Sequence, residues 1–507
     1  MNIGWLTLLL LLPFVGAIAT MLVPKANAQL AKQVALVFSL ATLVLTAIIA
    51  IGYHRNGAED YAEDYTWIKA FGAHYALGLD GVGIVLVVLT ALLTPIVLIA
   101  SWNDAQHGRW SEKSFFAWVL GLEALSIGVF AATDVFLFYV LFEATLIPMY
   151  FLIGGFGGAQ RSYAAVKFLL YSLLGGLLML ASVVGLYVVS ARVGEPSYLL
   201  SDLMKLDISQ NTERWLFLGF FFAFAVKAPM VPFHTWLPDA AGEATPGTSV
   251  LLVGILDKIG TFGMIRFCLG LFPNASQWAT PVVLILALIS VLYGALLAIG
   301  QTDIKRLIAY TSISHFGFMV MGIFVLTSQG LTGSTLYMFN HGLSTAALFL
   351  VAGYLISRRG SARIADYGGV EKVAPVLAGT FLFAGLSSLA LPGMAPFISE
   401  FMVLAGTFSR HKVIGTVAVL GTVLAALYIL IMYQRLMTGP VRDGIERLKD
   451  LNVREVLAIA PLVVLIVGLG IFPKPIVDII KPAVESTMQR VGVTDKAPEI
   501  PVTEGQK

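Results

Sequence analysis

Charge is scarce in this sequence. Only 12% of the 507 residues are Asp, Glu, Lys or Arg, against roughly 25% in soluble domains. At the same time 58% are hydrophobic, and the mean hydropathy is +0.86. That balance excludes a soluble globular protein and predicts an all-α polytopic membrane protein embedded in a lipid bilayer. Cysteine is nearly absent as well. Cys268 alone excludes an internal disulfide and any four-cysteine iron–sulfur or zinc site built by this chain. No G-x-x-x-x-G-K-[ST] loop is present, nor a G-x-G-x-x-G between a strand and a helix, so nucleotide chemistry is not expected here. The expectation is therefore no cofactor and no metal in this chain, and no nucleic-acid partner. The apolar run 5–23 lacks a basic segment ahead of it and reaches spanning length, so it reads as a first span rather than a signal peptide. No linker is long enough to separate soluble domains, and residues 1–507 read as one membrane domain.

What the chain has in abundance is apolar runs of about 20 residues, the length one bilayer crossing needs. Fourteen are expected: 3–23, 32–52, 80–101, 114–131, 133–154, 162–191, 213–240, 245–271, 280–299, 304–327, 333–356, 374–410, 413–437 and 454–473. The runs 162–191 and 374–410 exceed one crossing, which implies tilt or, for the second, two half-helices. The link 53–79 is polar and aromatic, with a short hairpin expected at Tyr61 to Tyr65; residues 192–212 look amphipathic and surface-lying, and 474–507 form a short tail. Sixteen Lys and Arg fall in one set of alternate loops and seven in the opposite loops, so the first set is assigned to the cytoplasm and both termini to the other side.

Two spans carry their own disruption. In Val226-Lys227-Ala228-Pro229-Met230-Val231-Pro232-Phe233 the prolines remove backbone donors inside a membrane helix. Met230-Val231-Pro232-Phe233 has a counterpart in Met394-Ala395-Pro396-Phe397, and Pro229 has one in Pro392, followed by Gly393. The broken spans are the seventh and twelfth, so they cross in opposite senses. That predicts two inverted five-helix repeats, 114–271 and 280–437, with transport sites at their interface.

Ionisable residues inside apolar spans cost several kcal/mol unless paired or hydrated. Six stand on separate spans: Glu143, Lys227, Lys258, His315, His341 and Glu400. Any one of them, the histidines especially, is explained as a polar contact between helices. Six together read as a proton relay, because a buried ion pair adds little stability over apolar packing. Glu123, Lys167, His234 and Asp257 are candidate modulators, Glu123 having a helix–helix hydrogen bond as its alternative. His234 lies at the first break, and Asp257 directly precedes Lys258. Adjacent residues on a helix point about 100° apart, so Asp257 need not pair with Lys258, and a subunit contact is its alternative. Lys305 and Arg306, behind Asp303, read as a capped positive-inside anchor.

The blocks Phe142-Glu143-Ala144-Thr145-Leu146-Ile147-Pro148-Met149-Tyr150, Val226-Lys227-Ala228-Pro229 through Pro232-Phe233-His234-Thr235-Trp236-Leu237-Pro238-Asp239-Ala240, and Gln301-Thr302-Asp303-Ile304-Lys305-Arg306-Leu307-Ile308-Ala309-Tyr310-Thr311-Ser312 resemble the signatures of the antiporter-like subunits of respiratory complex I. The similarity covers the whole chain. Cation/proton antiporter subunits and membrane-bound hydrogenases share the fold. The resemblance implies a coupling pair at Glu143 and Lys227, a central lysine at Lys258, connecting histidines at His315 and His341, and a terminal acid at Glu400. Glutamate at 400 and the short stretch after the last span set the chain apart from members with a lysine there and a long lateral helix. Asp257 departs from relatives that carry an apolar residue at that position. The implied function is proton translocation within NADH:quinone oxidoreductase, an enzyme complex of the bacterial inner membrane. Its other membrane subunits, including neighbouring antiporter-like chains, are the implied partners; FMN, iron–sulfur clusters and quinone are expected in other subunits. The competing readings are a redox-independent Na⁺/H⁺ antiporter subunit or part of a membrane-bound hydrogenase. A scaffold held together by its charges is disfavoured by their number.

Overall fold

The computed structural model describes residues 4–56, 61–106 and 108–495. Residues 57–60 of the expected link and 496–507 of the expected tail lie outside the described residues. The chain opens with α1 (Trp5–Leu22) and α2 (Ala28–Asn56), then an antiparallel hairpin, β1 (Glu63–Ile68) and β2 (Ala73–Leu77). The hairpin is thus centred later than Tyr61 to Tyr65, and the fold is not purely helical. Its first strand also helps to hold the opening helix. Glu63 accepts from the amides of Leu6 (2.7 Å) and Thr7 (3.1 Å), placing a carboxylate on the free N–H groups that open α1.

Next come α3 (Gly81–Ala100), α4 (Glu112–Ala131), α5 (Val135–Ala144), α6 (Leu146–Phe156), the 33-residue α7 (Arg161–Val193) and the single turn α8 (Leu200–Leu203). The segment 192–212, expected to be an amphipathic surface stretch, is mostly irregular around that turn, and Leu203 is buried. The run expected as one helix over 133–154 is interrupted at Thr145, where α5 gives way to α6. Pro148 has no N–H to give the Ala144 carbonyl, so the interruption falls where a donor is missing.

The first broken span is α9 (Gln210–Lys227) and α10 (Trp236–Glu243), separated by residues 228–235. The next span is irregular in a way the sequence did not signal. It runs α11 (Pro246–Leu251), a π-helical segment Leu252–Leu256, α12 (Lys258–Gly263) and a second π-helical segment Met264–Leu269. Then come α13 (Pro273–Ile299), α14 (Ile304–Phe324) and α15 (Ser328–Arg359). The second broken span is α16 (Pro375–Ser388) and α17 (Ala395–Arg410), and α18 (Lys412–Met437) and α19 (Val453–Ile471) come after it. Pro392 and Gly393 lie in that break, with Gly393 at φ 93° and Ala390 at φ 59°. Pro396 sits in the first turn of α17, where its missing N–H does no harm. The stretch expected as a short tail contains an amphipathic helix, α20 (Lys474–Val491), anchored by Gln277 Nε2 to the Val491 carbonyl (2.7 Å) and Arg490 Nε to the Gly270 carbonyl (3.1 Å).

Among the described residues twelve helices are long and apolar enough to cross a membrane, and the two broken pairs stand outside that set. The span from Pro246 to Leu269 is wholly buried, and α14 and α15 nearly so, whereas α1, α2 and α19 turn most of their surface outward. Outward faces carry Val37, Val44, Leu170, Leu174, Val282, Leu296, Val423 and Val464, which suits hydrocarbon. Without a hydrophobic drive between helices in lipid, close approach comes from small residues. A Cβ on Gly260 of α12 would stand 2.5 Å from the Ala228 nitrogen and 2.7 Å from the Phe224 carbonyl oxygen. Glycine there lets the π-bulged span lie directly on the break after Lys227.

Gly260→Ala should therefore overpack a backbone contact, at about 1–3 kcal/mol. The expected outcome is less assembled protein on native gels and a lower melting temperature in detergent; unchanged melting would contradict the packing argument.

Candidate functional site

The break after Lys227 leaves backbone groups that bilayer hydrocarbon cannot satisfy, and neighbouring side chains take them. The Trp236 indole donates to the Val226 carbonyl (2.9 Å), and the Val231 amide donates to Ser290 Oγ of α13 (3.0 Å). At the second break Asn340 Nδ2 of α15 donates to the carbonyl of Ala395, the first residue of α17 (2.7 Å). Both breaks are thereby tied to the helices that pack beside the buried ionisable groups.

Lys227 is fully buried, and its ammonium has no hydrogen-bonding partner. It rests 5.0 Å from the Phe142 ring centre and 5.5 Å from that of Phe168. Glu143 is its electrostatic neighbour, yet Glu143 Oε1 is buried without a partner. The expected ion pair is therefore open in this structure, with the lysine held by aromatic faces instead.

Lys258 is satisfied where Lys227 is not. In the π-helical turn the Asp257 amide reaches back five residues to the Leu252 carbonyl (3.0 Å). The Val253 carbonyl, which an α-helix would have offered to that amide, accepts from Lys258 Nζ at 2.6 Å. Lys258 Nζ also donates to His341 Nδ1 at 2.8 Å, which places the His341 proton on Nε2. The His341 and His315 rings lie 5.2 Å apart. On the far side the Tyr337 hydroxyl donates to Glu400 Oε2 (2.8 Å) and accepts from His315 Nδ1 (2.6 Å). That leaves Nε2 of His341 as a donor and Nε2 of His315 as an acceptor, both buried and unpartnered. The space between these two rings is the one gap in the hydrogen-bonded run from Lys258 to Glu400.

Tyr337 is the member that sequence reasoning missed. Its signal was its place four residues before His341, one turn away on the same face of α15. Asp239 was missed too. It receives Lys167 Nζ (2.6 Å) and Arg306 Nη1 (2.5 Å), joining α7, α10 and α14. Lys167 is thus ion-paired to Asp239, and Arg306 is more than a surface anchor. Asp303 does cap α14 through the Arg306 amide (2.9 Å), while Lys305 Nζ donates to the Ala244 carbonyl (2.8 Å). His234 is buried with Nδ1 unpartnered, edge-on to Tyr293. Glu123 is buried beside Thr94, whose hydroxyl donates to the Thr90 carbonyl, and neither Glu123 oxygen has a donor. Asp257 is completely buried within the chain, which does not suit a contact with another subunit. Among the described residues no group of three or more His, Cys, Asp or Glu is placed to hold a metal ion.

Comparison with known proteins identifies the family. The profile of the family described as "NADH:quinone oxidoreductase/Mrp antiporter, TM" matches residues 132–425. NADH-quinone oxidoreductase subunit M of Mycobacterium tuberculosis is 51% identical, over 98% of this chain and 96% of that protein. A chain in the structure of respiratory complex I from Thermus thermophilus with bound NADH superposes with a TM-score of 0.88 at 31% identity, covering 96% of this chain and all of that one. A chain of the Mrp complex from Dietzia superposes at 0.82 with 19% identity, over 97% of this chain and all of that one, a likeness of fold alone. The chain belongs to the family of membrane subunits shared by NADH:quinone oxidoreductase and Mrp antiporters.

Proposed function

We propose that this chain is the subunit M of a bacterial NADH:quinone oxidoreductase and translocates protons through the row Glu143, Lys227, Lys258, His341, His315 and Glu400, with Tyr337 inserted before Glu400. The observation that carries this reading is the buried hydrogen-bonded sequence Lys258–His341, then His315–Tyr337–Glu400. Its one gap lies between two histidine nitrogens of opposite hydrogen-bonding character. Such a chain passes a proton stepwise when each group in turn accepts on one side and donates on the other. Flavin, iron–sulfur clusters and quinone belong to other subunits, and quinone reduction there acts on the Glu143–Lys227 pair through charge.

The same reading takes the two broken pairs as crossings, for fourteen in all, and groups them into inverted repeats over 114–271 and 280–437. Both termini then lie on the extracytoplasmic side of the inner membrane. The alternative, a redox-independent Na⁺/H⁺ antiporter subunit, falls under the same family model over residues 132–425, but the relative 51% identical over 98% of this chain is an NADH-quinone oxidoreductase subunit M, which favours the first reading. Purification decides between them, since flavin and iron–sulfur absorbance accompanying the chain would exclude a stand-alone antiporter.

Glu143→Gln keeps size and removes charge, so the complex should assemble. Coupled proton translocation in sealed vesicles should fall roughly tenfold or more, while electron transfer from NADH to an artificial acceptor stays normal. Normal pumping by the assembled variant would sink the coupling-pair assignment.

Tyr337→Phe deletes one hydroxyl and leaves the ring. A hydrogen bond to a charged group contributes about 1.5–3 kcal/mol, so translocation should drop about tenfold or more, again with the artificial-acceptor rate unchanged. If translocation survives, the route from His315 to Glu400 bypasses the phenol.

A further inference from the structure

The row has a second discontinuity, between Lys227 and Lys258. Lys258 uses two donors on Val253 and His341, and so faces α15. Lys227 stands in its aromatic box at the end of α9 with no hydrogen bond at all. Asp257 is an electrostatic neighbour of both lysines, Lys227 and Lys258.

Asp257 is built for that place. It directly precedes Lys258, so its side chain leaves the helix about 100° away from the lysine's direction. Three residues on, on the same face, Gly260 packs against the Ala228 nitrogen and the Phe224 carbonyl, which is the break beside Lys227. Asp257 is 0% exposed, and neither of its carboxylate oxygens has a hydrogen-bond partner. A carboxylate kept for helix packing would be expected to collect donors, because leaving buried acceptors unsatisfied costs about 1–3 kcal/mol or more each. This one has only two lysines of the row for company.

We propose that Asp257 carries the proton between Lys258 and Lys227, closing the gap between the two halves of the row; this rests on the relay reading above. In the first step an N–H bond of the Lys258 ammonium breaks as an O–H bond forms on Asp257, directly or across one water. That leaves a neutral amine and a neutral carboxylic acid. In the second step the O–H bond breaks as an N–H bond forms on the neutral Lys227 amine, and the carboxylate is restored. One proton moves, no electrons are exchanged, and each step is reversible. The carboxylate matters physically because the intermediate is two neutral groups. A lone positive charge crossing the same low-dielectric gap would meet a far higher cost.

The test uses the whole complex reconstituted in sealed vesicles, with Asp257→Asn, Asp257→Glu and Lys258→Met compared for proton translocation, quinone reduction and solvent isotope effect. Asp257→Asn is expected to assemble, keep its artificial-acceptor rate, lose translocation by about fivefold or more, and show a larger isotope effect. Asp257→Glu should recover at least about half of the loss. A purely structural role would lower the assembled amount without moving the isotope effect. Normal translocation by Asp257→Asn, alongside loss in Lys258→Met, overturns the carrier role and leaves the relay standing. Normal translocation by Lys258→Met overturns the relay reading and Asp257 with it. Should Asp257→Asn not assemble, redox-induced infrared difference spectra decide. A protonated-carboxyl band that is deuterium-sensitive and displaced in Asp257→Glu supports the carrier; a spectrum the substitution leaves unchanged refutes it.

Discussion

In hydrocarbon no water completes a broken backbone, and the irregular parts of this chain are arranged around that constraint. Each of the two breaks frees main-chain groups, and partners come from defined places. At the first break the Trp236 indole serves Val226 and Ser290 serves Val231, and at the second Asn340 ties the start of α17 to α15. Ser290 and Asn340 belong to α13 and α15, and α15 also carries Tyr337 and His341. Satisfying the breaks and positioning the ionisable row are therefore one structural problem. A break could not shift by a residue without losing its donor and displacing the helix that holds the next group.

The two lysines solve burial in opposite ways, and energies explain the difference. A cation over a desolvated aromatic face gains about 2 kcal/mol. Two unit charges at ~4 Å and an effective dielectric of ~20 attract by roughly 4 kcal/mol. The open form of the Glu143–Lys227 pair thus lies only a few kcal/mol from the closed one, because Phe142 and Phe168 hold part of what the carboxylate would supply. That is the range in which a charge arriving elsewhere can tip the balance. Lys258, hydrogen-bonded on two sides, has no comparable alternative and acts as a fixed station.

Much of this was legible in the sequence, for physical reasons. Proline deletes a donor wherever it stands, so both breaks could be read, between Val226 and Phe233 and between Leu391 and Pro396, and the structure has them at 228–235 and 389–394. A charge in an apolar run is conspicuous, so Glu143, Lys227, Lys258, His315, His341 and Glu400 could be singled out as ionisable groups inside spans. What escaped depends on tertiary packing. Tyr337 is amphipathic and unremarkable in a membrane span until its hydroxyl is seen between His315 and Glu400. Asp239 meets Lys167 across 72 residues of chain, which no spacing rule anticipates. Pro148 did forecast the interruption at Thr145, but a proline in a membrane helix is common enough to pass unread. The hairpin lies later than Tyr61 to Tyr65, and its first residue, Glu63, reaches α1, a contact outside the local pattern.

The π-helical turn before Lys258 shows why such features gather at functional positions. A regular helix in lipid uses every carbonyl internally, and a buried ammonium then has nothing on its own helix to donate to. Lengthening one turn by a residue withdraws the Asp257 amide from Val253 and leaves a carbonyl that needs a donor. Lysine supplies it five residues on, at 2.6 Å. Each defect would be costly alone, an orphaned carbonyl in one case and an unsolvated charge in the other. Together they cancel on a single helix, and the lysine keeps its remaining donors free for His341. A wound α-helix through 252–256 would not offer that acceptor, and the row would have to be built from side chains alone.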